Sequence, residues 1–224
     1  MAMTATARDN ILGRIRSALG RAQAPASGSD AAGAAGMRAR LAGHPRGPLP
    51  SMDWEPIARF EERCLLLSSS VARVRNRSEV APAVAQYLAQ NDLPRSGVCW
   101  PELGGLGWSA AGLRIEPRSA GGEDKVGITG CYCAIAETGT LILLSGPDTP
   151  LTTSLLPDTH IALVPASGIL RSMEDAWDLL RRESGALPRQ VAFVSGPSRT
   201  ADIEMTLVLG IHGPYRVHVI LVDE

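Results

Sequence analysis

From Asp53 onward the chain alternates short apolar runs with segments of helical period, and no other feature constrains its fold as much. "VARVRN", "SGVCW", "LRIEPR", "HIALVP", "QVAFVS" and the terminal "VHVILV" are rich in branched residues and too short for helices, so they are expected as strands. Between them, "DWEPIARFEERCLLL" places Trp54, Ile57, Phe60 and Cys64 near one helical face. "SEVAPAVAQYLAQND" is expected as a helix with Ser78 at its N-cap and Pro82 near its first turn. In "SMEDAWDLLRRES" Ser172 is the expected cap, with acids in the first turn and Arg181 and Arg182 in the last. Strands alternating with helices predict an α/β fold, a mostly parallel sheet flanked by helices. Ligands of such sheets gather beyond the carboxyl ends of the strands, where the strand order reverses.

The first 50 residues follow a different pattern. In "DNILGRIRSALGRA" Ile11, Leu12, Ile15, Ala18 and Leu19 recur at helical spacing, with Arg14, Arg16 and Arg21 among the rest, which predicts an amphipathic helix. It resembles a targeting presequence in its Arg content, but Asp9 favours a docking element. Residues 22–50, rich in Ala, Gly, Pro and Ser without a sustained period, are expected as a flexible linker. The expected division is therefore an N-terminal helical arm with its linker, 1–50, and one α/β domain, 51–224.

A chain of 224 residues has room for one sizeable core, and 45% apolar and 20% charged residues are ordinary for a globular domain. No apolar run approaches the roughly 18 to 20 residues that a membrane helix needs, so a soluble, cytoplasmic protein without a membrane span is expected. A net charge of −1 supplies no field to steer a nucleic acid. The charge is uneven, because residues 1–46 hold seven Arg against two acids, a net of +5, leaving −6 for the remainder. That asymmetry points to the arm docking on an acidic surface. Cys131 and Cys133 form a C-x-C pair whose side chains fall on one face of a strand, and no second pair complements them or Cys64 and Cys99. Buried reduced thiols are expected, and no cluster or metal held by this chain.

Two constellations can carry chemistry. In "GITGCYCAIAETGTLILLSGP" Glu137 interrupts what otherwise looks like the middle of a sheet. A carboxylate between buried flanks must be hydrogen-bonded, paired or protonated, and Thr138, Gly139 and Thr140 can supply donors. It is either a structural acid satisfied by those donors or a catalytic or ligand-contacting one. In "FVSGPSRTADIE" a strand ends at Ser195, and Gly196, Ser198, Arg199 and Thr200 lead into an expected helix. Backbone N–H groups, hydroxyls and a guanidinium there either cradle a phosphate or carboxylate or simply cap the helix. His212, in "GIHGPYRVHVIL", is a further candidate ligand contact, and its surroundings lack metal-ligand spacing. "GGLGWS" at 104–109 is expected as a turn.

"GITGCYCAIAETGTLILLSGP", "SLLPDTHIALVPASGI", "VSGPSRTADIEMTLVLGIHGP" and "RVHVILVD" resemble the lactate-utilisation protein C family, whose shared unit is the LUD domain. These motifs span residues 126–222; "RDNILGRIRSALGRA" resembles the family's opening helix, and residues 22–120 match in outline. The resemblance implies a NagB/RpiA/CoA-transferase-like fold. It also implies an accessory role beside two iron–sulfur proteins that oxidise L-lactate to pyruvate in the bacterial cytoplasm, with the clusters in those partners and none in this chain. A small anionic metabolite is a further expected ligand. The wider fold group implies an alternative, acyl or CoA transfer with Glu137 as nucleophile or base.

Overall fold

The computed structural model describes residues 5–20, 27–200 and 208–223, which fall into two compact units, 1–50 and 51–224. The first unit holds helices α1 (Ala5–Ala18) and α2 (Ser27–Gly43). The second helix corrects the expectation of a flexible linker. Its glycines weaken it, but Ala34, Ala35, Met37, Arg38, Ala39, Arg40 and Leu41 are strong helix formers, and their summed propensity prevails without an apolar period.

In the second unit the elements run α3 (Pro56–Leu66), β1 (Ser70–Val74), α4 (Val80–Gln90), β2 (Ser96–Cys99), β3 (Arg114–Pro117), β4 (Val126–Thr129), β5 (Cys133–Ile135) and β6 (Thr140–Leu144). They continue with α5 (Thr152–Leu155), β7 (Thr159–Pro165), β8 (Ile169–Leu170), α6 (Met173–Glu183), β9 (Val191–Val194), β10 (Arg199–Thr200), β11 (Val208–Leu209) and β12 (Arg216–Val222). Local chemistry accounts for the helix starts. The Glu55 carboxylate accepts the Ala58 N–H at 2.8 Å, and Pro56 opens α3 where a missing N–H costs nothing. Ser172 and Asp175 form the expected capping box of α6. Ser78 does not cap α4. It lies in a 3-10 turn, Arg77–Glu79, whose cap is Asn76, and both the N–H and the hydroxyl of Ser78 donate to Asn76 Oδ1.

β1, β12, β7, β4, β2 and β3 pair in that order into a six-stranded sheet, parallel throughout. β2 leads outward to β3, but the chain then returns to the other side of β2 for β4 and continues through β7 to β12. The strand order therefore reverses between β2 and β4. A second sheet, β8-β5-β6-β9, has β5 and β9 antiparallel to β6 and β8 parallel to β5.

The side chains of the first sheet alternate between two apolar layers. Val126, Ile128, Ile161, Leu163, Ile220 and Val222 pack with Val84 and Leu88 of α4. Ala162, Val164, Val217, Val219 and Leu221 meet Phe60 and Cys64 of α3 and Ala134, Ala136 and Leu141 of the second sheet. Cys133, Ile135 and Ile142 face the other way, onto Ala176 of α6. The expected one-face arrangement of the C-x-C pair does not form, because the chain bends between the sheets. Cys131 precedes β5, and its thiol turns back to the Cys133 carbonyl oxygen at 2.7 Å.

Candidate functional site

The two constellations lie far apart in sequence, and the fold joins them at the carboxyl end of α3. β5 and β6 are linked by a tight turn in which Gly139 adopts φ +66° and its N–H donates to the Ile135 carbonyl. A Cβ there would come within 2.8 Å of Arg63 Cβ, so the turn seats against α3 only with glycine. Gly196, at φ +81°, approaches the same helix end, where a Cβ would lie 2.5 Å from the Leu67 carbonyl oxygen. Between the two glycines a chain of hydroxyls runs from Thr138 to Thr140 to Ser195, each step 2.7 Å. Arg199 Nη2 donates to Leu67 O and to Ser68 Oγ, both at 2.7 Å. The Ser198 N–H donates to Pro214 O, and Ser198 O accepts from the Gly210 N–H, which ties in the loop bearing His212.

Several expectations change here. Glu137 is not a buried acid on a strand; it is half-buried in the turn, and its backbone N–H donates to Arg171 O at 3.1 Å. Reversing the chain between two antiparallel strands requires non-ladder residues, and "ETG" supplies them. Arg199 and Thr200 do not open a helix. They form strand β10 against β11, and the helix expected beyond them lies outside the described residues. The Arg199 guanidinium holds backbone and hydroxyl at the end of α3. Thr200 is buried, and His212 is exposed on its loop.

The carboxyl ends of the parallel strands carry a separate cleft of about 90 Å³, beside the reversal in strand order. Leu103, Leu163 and Val222 supply buried apolar walls, and Arg77 and Glu102 are its charged, exposed lining residues. Gly130, the residue after β4, completes it: a Cβ there would lie 2.9 Å from Glu102 Oε1 and 3.4 Å from the Trp100 ring, so glycine admits the carboxylate to the strand end. Cys131 also lines the cleft, and burial pushes its thiol well above the ordinary value, which keeps it protonated. Motif reading missed this cleft because Arg77 and Glu102 belong to no spaced pattern. The reversal of strand order is the signal that locates it. Among the described residues no group of three or more His, Cys, Asp or Glu is placed to hold a metal ion.

The sequence model of the LUD domain matches residues 57–222, which include the hairpin, the loops and the cleft. The chain belongs to the LUD domain family. Lactate utilization protein C of Bacillus subtilis (strain 168) is 39% identical over 129 residues, 56% of this chain and 54% of that protein. Lactate utilization protein C 1 of Bacillus mycoides is 45% identical over 102 residues, 44% of each chain. The chain thus spans about half the length of the curated relatives it matches. A solved structure of a DUF162 family protein from Deinococcus radiodurans superposes with a TM-score of 0.57 at 26% identity, covering 79% of this chain and all of that one. That likeness places the α/β architecture, a mostly parallel central sheet flanked by helices, within the LUD family.

Proposed function

We propose that this LUD-domain protein serves L-lactate utilisation as an accessory subunit beside two iron–sulfur proteins that oxidise L-lactate to pyruvate. Kinship with the lactate utilization protein C sequences carries this reading. The N-terminal unit supports its partner-binding part. Ile11, Ile15 and Leu19 of the first unit stay 49%, 49% and 65% exposed, and Met37 and Leu41 of α2 are 67% and 65% exposed. Apolar side chains left in water on arginine-bearing helices suit a docking surface. Affinity capture of the tagged full chain from lactate-grown cells of its source organism, with mass spectrometry, tests the role. Recovery of two iron–sulfur proteins is the expected result. Their reproducible absence from a well-expressed, folded sample would remove it.

A further inference from the structure

We propose that the cleft at the carboxyl ends of β4, β7 and β12 is a binding site for a short-chain monocarboxylate of three or four carbons. Its position is the first argument: parallel strands converge there beside the reversal of strand order, where loops from both halves of the sheet leave a crevice. Its size is the second. About 90 Å³ of enclosed space suits the burial of a ligand part of a few heavy atoms.

Charge narrows the class. Arg73, Arg75 and Arg118 are each paired with carboxylates, but Arg77 has no ion pair among the described residues and lines the cleft. A planar guanidinium matches a carboxylate with two parallel N–H···O bonds. The apolar walls from Val80, Leu103 and Leu163 take the alkyl part. Glu102, whose carboxylate lies beside Gly130, accepts a hydrogen bond from a hydroxyl on the ligand and repels a second negative charge, so it selects monocarboxylates against dicarboxylates. The protonated Cys131 thiol, committed to the carbonyl oxygens of Cys133 and Ile142, offers no thiolate, so the cleft binds without covalent attack.

Binding at this cleft requires no iron–sulfur partner and is separate from the proposed subunit role. Calorimetric titration of the full chain with propionate, L-lactate, lactamide and succinate tests it. L-lactate and propionate should bind, with L-lactate the tighter because its hydroxyl reaches Glu102, and uncharged lactamide and doubly charged succinate should bind at least tenfold more weakly. Arg77→Gln should weaken L-lactate at least tenfold with an unchanged melting temperature, and Arg77→Lys should recover part of the loss. No binding of either monocarboxylate, equal affinity for lactamide, or an Arg77→Gln variant that binds as the parent does would overturn the site. Such a failure leaves the subunit role untouched, because capture of the iron–sulfur partners tests that separately.

Discussion

The imidazole of His218 lies flat against the ring of Tyr87, with centroids 3.8 Å apart and planes 8° from parallel. Its Nδ1 is 2.8 Å from Ser70 Oγ, while Nε2 is buried without a partner among the described residues. His160 is alike: Nε2 is 2.8 Å from Thr129 Oγ1, and Nδ1 has no partner among the described residues. Burial holds both histidines down to about 4, below the ordinary 6.5. The folded state therefore binds fewer protons than the unfolded chain between those values. Their contribution to stability is complete above about pH 6.5 and is lost as pH falls toward 4, by about 1.4 kcal/mol per pH unit for each histidine. Urea midpoints at pH 7, 5.5 and 4.5 should show that decline. His218→Phe keeps the stack and removes one titration, so it should take away about half of the slope; pH profiles that stay parallel would contradict this account.

Gly127 sits where α5 crosses the parallel sheet. A Cβ there would overlap Thr153 O and come within 2.8 Å of Pro157 Cγ, and backbone cannot yield as a flexible side-chain end does. Gly127→Ala is expected to destabilise the domain by about 3 kcal/mol, the upper end of ordinary overpacking costs. Chemical denaturation measures it, and a cost below about 1 kcal/mol would mean that α5 moves freely.

Glu137 and Gly139 share one turn but should respond oppositely to substitution. Glu137 is half-buried, and its side chain makes no hydrogen bond among the described residues, so Glu137→Gln should change stability by no more than about 0.5 kcal/mol. Gly139→Ala meets both a positive φ and the Arg63 backbone, and should cost about 2 kcal/mol or more. Thermal melts separate the two. Acyl transfer through Glu137 would further require Glu137→Gln to abolish acyl-CoA turnover at unchanged stability; a variant that melts far below the parent would instead make the carboxylate a structural hub.

Removing residues 1–50 should abolish capture of partner proteins and leave residues 51–224 with the near-UV circular dichroism of the full chain, because the second unit contains the parallel sheet and its apolar layers. Capture that survives the deletion would place the docking surface on the LUD domain itself.

Periodicity and capping are written locally, so the sequence by itself determined the helices α3, α4 and α6, the strands β1, β2, β3, β7 and β12 of the parallel sheet, and the Ser172 start of α6. It also carried the family resemblance. Local pattern failed where no period existed: α2 forms from alanine-rich propensity alone, and Asn76 displaces Ser78 as a cap because the chain enters α4 through a 3-10 turn. Tertiary structure decided the rest. Glu137 looked buried because its flanks are apolar, but those flanks are two antiparallel strands and the acid occupies the reversal between them. Thr140 meets Ser195 only because β6 pairs with β9, and Arg77 and Glu102 line one cleft only because the strands they follow, β1 and β2, belong to one parallel sheet. Such contacts depend on which strands pair, and pairing is set by the burial of faces shared across the whole domain rather than by neighbours along the chain.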